Sequence, residues 1–159
     1  MTTQQNPTPH FTRWVDGDDL EQMTAELFVP GQPIAQGSKR HVGNGVIIES
    51  NHGPLKLWRN RVALSAGELI RGHTWQFDRP VSVDLTFVFP RLKNAPKHKP
   101  TKPKTSAPDV DKLIRAVFDA LTPVLFNDDA QVIDVSARKR YAEIGEPAGV
   151  HILVTTAIP

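Results

Sequence analysis

Hydrophobic and polar positions alternate most cleanly over Val81–Phe89, "VSVDLTFVF", where Val81, Val83, Leu85, Phe87 and Phe89 share one face and predict a strand. Over 109–121 the period changes. Ile114, Val117, Phe118 and Leu121 recur at i, i+3, i+4 and i+7, an amphipathic helical stripe that Pro123 should end. A second helix is predicted over 55–70, just after Pro54. Its apolar positions Leu57, Val62, Leu64 and Leu69 make an imperfect stripe, but the stretch is rich in helix formers. Residues 26–30, "ELFVP", read as a short strand. Residues 131–141, with Ile133, Val135 and Ala137 on one face, and 150–156 read as two more. "HVGNGVIIES" reads as a hairpin around a Gly-Asn-Gly turn, and "EIGEPAG" as the hairpin connection between the last two strands. Strands and two helices in this order predict an α/β, mixed α+β domain, a small mixed sheet covered by two helices.

Two segments stand outside this pattern. Residues 1–25 are polar, with Pro7, Pro9 and an acidic patch at Asp16, Asp18, Asp19 and Glu21. They read as a partly flexible extension that Phe11 and Trp14 could anchor, leaving 26–159 as the domain proper. Residues 90–108, "PRLKNAPKHKPTKPKTSAP", carry four prolines after Pro90, which prevent regular structure. A loop this long inside a small domain is functional or disordered.

Composition narrows the chemistry. With no cysteine, disulfides, zinc–thiolate sites and thiol catalysis are excluded. No apolar run approaches the ~18 residues of a membrane span. "MTTQQNPTPH" lacks the basic start and apolar centre of a signal peptide, so a soluble, cytoplasmic protein is expected. The net charge is only +2, but it is unevenly spread: residues 27–108 hold thirteen bases and four acids, residues 109–159 five bases and eight acids. The middle of the chain suits a polyanion, with a solvated basic face as the alternative.

Directly after the basic loop come six aspartates, Asp109, Asp111, Asp119, Asp128, Asp129 and Asp134. Each has an ordinary reading. Asp109 can cap the helix and Asp111 can complement its dipole. Asn127-Asp128-Asp129 is turn chemistry, and Asp119 is placed to pair with Arg115. Asp134 fits a solvent-facing or dimer-facing position. Taken together, Asp109, Asp111, Asp128 and Asp129 fit a hard cation such as Mg²⁺, held by one to three carboxylates plus waters and phosphate oxygens. Such a cation can generate a hydroxide nucleophile and neutralise a phosphodiester. Arg115, one turn after Asp111, could offset the clustered charge and reach the phosphate. A helix over 109–121 is about 18–20 Å long. For Asp129 to meet Asp109, residues 122–129 must therefore run back along it, and in extended form they span about 25 Å. The six histidines form no close pair for zinc, "DVDKL" fails the calcium-loop pattern, and no Gly-rich phosphate loop or serine nucleophile elbow is present.

The stretch "PDVDKLIRAVFDALTPVLFNDDAQVIDVSARKRY" resembles the core of the RusA family of Holliday junction resolvases, common in phages and prophages. The resemblance rests on an acid-x-acid pair opening a helix (Asp109, Asp111) and a basic residue one turn on (Arg115). It continues in the "FDAL" run and in Asp128–Asp129 with Gln131 and Val132 opening a strand. "VPGQPIAQGSKR" resembles the family's first strand and basic loop. The resemblance implies a homodimeric, Mg²⁺-dependent endonuclease that cuts four-way DNA junctions in a bacterial cytoplasm, with Mn²⁺ as a substitute cation. It implies catalytic and metal-binding roles for Asp109, Asp111 and Asp129, with Asp128 adjacent. The family usually has lysine where this chain has Arg115; Lys112 is an alternative for that position. DNA contacts are expected from Lys39, Arg40, Arg91, Lys93, Lys97, Lys99, Lys102, Lys104 and Lys112, to the backbone and without base reading. Two other readings remain: a metal-dependent nuclease for other branched DNA or RNA, and a non-catalytic DNA-binding protein whose acids only cap and turn.

Overall fold

The computed structural model describes residues 8–15, 21–37, 39–41, 43–49 and 52–157. Among them the elements run β1 (His10–Val15), β2 (Glu21–Pro30), β3 (Lys39–His41), β4 (Ile47–Glu49), α1 (His52–Ile70), β5 (Val81–Phe89), α2 (Val110–Leu121), β6 (Val132–Tyr141) and β7 (Gly149–Thr156). Five strands make one mixed sheet in the order β1-β2-β7-β5-β6; β3 and β4 pair separately. The expected mixed α+β fold with two helices on a sheet is what forms.

The alternation of β5 explains its central place. Val81, Val83, Leu85 and Phe87 are essentially inaccessible, facing the helices, while Ser82, Asp84 and Thr86 face the other side. The stripe on α2 buries Leu113, Ala116, Val117, Ala120 and Leu121 against that face. On α1 the buried stripe is Leu55, Trp58, Val62 and Ala66. Leu57 and Leu64, expected in the apolar stripe, are instead 71% and 67% exposed. Leu57 stands about 100° round the helix from Trp58 and Leu64 about 200° from Val62, so both fall off the buried stripe although they are apolar.

Three expectations change. The strand expected over 26–30 begins at Glu21, and His10–Val15, placed in the extension, pairs antiparallel with it from His10↔Glu26 to Val15↔Glu21. Polarity hid β1 because it is an edge strand, which packs one face at most. Residues 1–7 and 16–20 lie outside the described residues. Finally, "EIGEPAG" does not connect a hairpin. β5 lies between β6 and β7, pairing parallel with the first and antiparallel with the second. The predicted Gly-Asn-Gly hairpin does form. Gly43, Asn44 and Gly45 all take positive φ between β3 and β4, a conformation that glycine and asparagine tolerate best.

The parallel β5–β6 pair positions everything that follows. Its crossover passes through the long loop and α2, so α2 starts beside the C-terminal ends of β5 and β6. It finishes beside their N-terminal ends.

Candidate active site

Asp109 is the residue before the first turn of α2, in extended conformation, yet its side chain makes no capping hydrogen bond. Its carbonyl begins the helical ladder by accepting from the Leu113 amide at 3.2 Å. Its carboxylate is left 66% exposed, with the Lys112 ammonium 3.9 Å away. Asp111, in the first turn, is also exposed and forms no ion pair among the described residues. The helix N-terminus favours both charges. Neither carboxylate is spent on capping, and both are exposed to solvent, two residues apart at the start of the helix. The ordinary reading of Asp109 as a side-chain cap is not what the geometry gives.

The second acid pair is spent differently. Asp128 Oδ1 accepts from the Ala130 amide at 2.8 Å, and the Asp128 amide donates to Gln131 Oε1 at 2.9 Å, a reciprocal cap on the single 3-10 turn Asp129–Gln131. Gln131 Nε2 also donates to the carbonyls of Phe77 and Arg79, at 2.8 and 2.9 Å. The Asn127 amide donates to the same Phe77 carbonyl, at 3.3 Å. These bonds tie 127–131 to the turn that leads into β5. Asp129 is exposed in this turn.

The two pairs therefore stand at opposite ends of α2. Residues 122–125 continue as a turn instead of running back along the helix: the Leu125 amide donates to Leu121 O, and Leu125 and Phe126 are fully buried. The Leu125 carbonyl is held by Trp75 Nε1 at 2.7 Å. Twelve helical residues separate the pairs, about 18 Å. Among the described residues no three Asp, Glu or His side chains come close enough to hold one metal ion. A single chain thus leaves Asp109 and Asp111 two residues apart at one end of α2 and does not bring Asp129 to them. Two exposed carboxylates fit a Mg²⁺ ion that completes its shell with water and phosphate oxygens. Asp129, the third acid of the expected set, does not join them within one chain.

The basic loop over 90–108 is held by its own polar groups. Arg91 donates to Ala142 O and Glu143 Oε2, each at 3.3 Å, and to Pro96 O. Glu143 Oε1 takes the Thr101 hydroxyl at 2.9 Å. That bond, with the Thr101 amide and the nearby Arg91 charge, holds the Glu143 carboxyl below its usual range. Lys104 Nζ lies 4.5 Å from the Phe89 ring centroid and 5.1 Å from that of Tyr141. It donates to Ser106 Oγ at 3.1 Å and Ala107 O at 2.9 Å. Arg91 and Lys104, expected on DNA, are thus engaged within the protein. Lys93, Lys97, Lys99 and Lys102 are exposed and form no ion pair among the described residues. The side chains of Lys39 and Arg40 lie outside the described residues.

The cations near the acids differ from expectation in one respect. Asp119 does not pair with Arg115; Arg59 of α1 donates to its Oδ2 at 2.6 Å. An i+4 partner on an exposed helix contributes only a few tenths of a kcal/mol, too little to compete with a guanidinium brought in by helix packing. Arg115 is left exposed.

Residues missed by sequence reasoning lie in "RKRY" at the end of β6. Lys139 Nζ donates to Ser106 O at 2.9 Å and Pro108 O at 2.7 Å. The buried Tyr141 shares a 3.3 Å bond with the Ser106 hydroxyl. This bond, with Lys104, Lys102 and Lys139 nearby, lowers its phenol pKa. The signal was a run of three bases closing a strand that starts at the acidic motif.

The chain is 33% identical over 129 residues to the uncharacterized protein YqaN of Bacillus subtilis (strain 168), covering 72% of this chain and 86% of that protein. Residues 30–155 match the model of the endodeoxyribonuclease RusA family. The match spans α2, both acid pairs and the basic loop, and leaves β1 and most of β2 outside. With the family model matched over most of its length, the chain belongs to the RusA endodeoxyribonuclease family.

Proposed function

We propose that the protein is a Mg²⁺-dependent, structure-selective endonuclease that hydrolyses phosphodiester bonds in four-way DNA junctions, and that Mn²⁺ can replace Mg²⁺. The observation that carries this reading is the Asp109–Asp111 pair, exposed at the start of α2 and unspent on capping. Two unneutralised carboxylates two residues apart repel any phosphate that approaches, a cost that a bound cation removes. When bound, Mg²⁺ would neutralise phosphate charge and activate water for attack. Asp109 and Asp111 hold it. Lys93, Lys97, Lys99 and Lys102 draw the DNA backbone toward that end of the sheet. Arg115, on the same helix, contacts phosphate as a fixed charge, since a guanidinium does not give up its proton.

The placement of Asp129 about one helix length away supports a paired arrangement. Asp109 and Asp111 of one copy would work with Asp129 of a second copy. β6 is an edge strand whose Ile133 and Val135 are 65% and 45% exposed, a surface suited to a like partner. A symmetric dimer would offer two equivalent sites to a nearly symmetric junction.

The test is a divalent-cation titration of the purified protein on a synthetic four-way junction, with matched duplex, fork and flap DNA alongside. Cation-dependent cuts in the junction and none in duplex are expected. Binding without cutting at any concentration of Mg²⁺ or Mn²⁺ would leave only a DNA-binding protein. Preferential cutting of flaps would move the substrate to other branched DNA.

A further inference from the structure

Three successive carbonyls, those of Ser106, Ala107 and Pro108, precede Asp109, and each accepts from a lysine ammonium. Lys104 belongs to the same loop and reaches only two and three residues forward. It stiffens the segment without fixing it to anything, apart from its seat over Phe89 and Tyr141. Lys139 differs. It projects from β6 opposite Phe87, in the parallel pair beside the centre of the sheet, and crosses more than thirty positions of chain to bond Ser106 O and Pro108 O. Its two bonds straddle Ala107 and end one residue before Asp109. The 19 residues of 90–108 contain no helix or strand. Between Thr101, held by Glu143, and α2, Lys139 is therefore the ion that ties the backbone directly to the sheet.

Resting on the reading of Asp109 and Asp111 as cation ligands, we infer that Lys139 is the positioning residue of that pair. Its ammonium sets where the loop ends and α2 begins, and so where the two carboxylates stand relative to the sheet and to DNA held by the loop. Charge-assisted bonds to backbone carbonyls suit the task, being about twice as strong as neutral ones. Lys139 touches neither acid and is kept from solvent on one side, so it acts through the backbone. Groups that orient ligands in this way cost about 10- to 100-fold in metal affinity or activity when removed.

The test uses Lys139→Met, which keeps the aliphatic stem, and Lys139→Arg, whose guanidinium can still donate to two carbonyls. In the absence of DNA and metal, hydrogen–deuterium exchange over 104–113 should quicken in Lys139→Met and stay near wild type in Lys139→Arg. Single-turnover junction cleavage by Lys139→Met should fall about 10- to 100-fold, with the Mg²⁺ concentration for half-maximal rate raised. Lys139→Arg should recover most of it, and junction affinity without divalent cation should be unchanged in both. Unaltered exchange in Lys139→Met would overturn the inference. Loss of junction affinity with normal exchange would also overturn it, making Lys139 a phosphate contact. A wild-type protein that cuts nothing would defeat the functional reading alone, since the exchange experiment judges the tether independently.

Discussion

At the level of single residues, the carboxylates divide by what holds them. Asp84 is held by both Arg138 amino groups at 2.9 Å, and Glu146 by Arg140. Asp109 and Asp111 have no such partner of comparable geometry. That contrast was not legible in the sequence, where six aspartates look alike. Asp119 is drawn away by Arg59 across the helix packing, and Asp128 is consumed by its own turn. Asp119 is told apart by a contact distant in the chain and Asp128 by the geometry of its turn, neither of which the residue type reveals. His151 gives a separate check on the residue scale. Burial beside Phe28, followed by the Arg140 charge, lowers its pKa below the ordinary 6.5, against opposing effects of Glu146 and Glu26. The folded chain therefore binds fewer protons at this site than the unfolded chain between the lowered value and about 6.5. The His151 contribution is fully present above that window and is lost as pH falls through it. The melting temperature should drop from pH 7.5 to pH 5, and His151→Phe should flatten the drop. Glu143 and Glu146, whose carboxyls are lowered by Thr101 and Arg140, act only below about 4.5 and leave this window undisturbed.

Among the elements, legibility follows how local the cause is. The alternation of β5 and the stripe of α2 are written in adjacent residues and were read within a residue of their observed bounds. Strand order is not local. The insertion of β5 between β6 and β7 depends on pairings between residues far apart in the chain, and no motif in "EIGEPAG" records it. The basic loop was legible as a long proline-rich segment but not as a held one, because Glu143 and Lys139, which hold it, lie some forty and thirty residues away. This divides its cations into two kinds with different expected behaviour. Replacing Lys97, Lys99 and Lys102 together with Ala should weaken binding to every DNA form. The slope of log affinity against log salt should shrink by about 0.9 per lost duplex phosphate contact. Arg91→Ala should instead loosen the loop and lower the melting temperature. An unchanged salt slope in the triple-lysine variant would mean that the loop does not engage DNA.

For the molecule as a whole, the separation of the two acid pairs by a helix length is the decisive feature. It turns the number of copies into a catalytic question. If Asp129 serves the site of a second copy, Asp111→Asn and Asp129→Asn homodimers are both inactive. A mixed dimer then contains one doubly damaged site and one intact site. Mixing the two inactive proteins should restore nicking of one strand of a supercoiled cruciform without restoring paired cuts. A mixture that stays silent, with mixed dimers verified by mass, would contradict a site shared between copies, and an Asp129→Asn homodimer that cuts at the wild-type rate would remove Asp129 from the site.

The central claim is that the unspent pair at the start of α2 carries the metal chemistry, and single-turnover cleavage of a four-way junction by Asp111→Asn tests it most directly. The substitution removes one charge from an exposed side chain, so the protein should fold and melt as wild type. Junction binding should be retained or tightened, because one carboxylate no longer repels phosphate. Cleavage in Mg²⁺ or Mn²⁺ should be lost. Cleavage by Asp111→Asn at the wild-type rate would contradict the account.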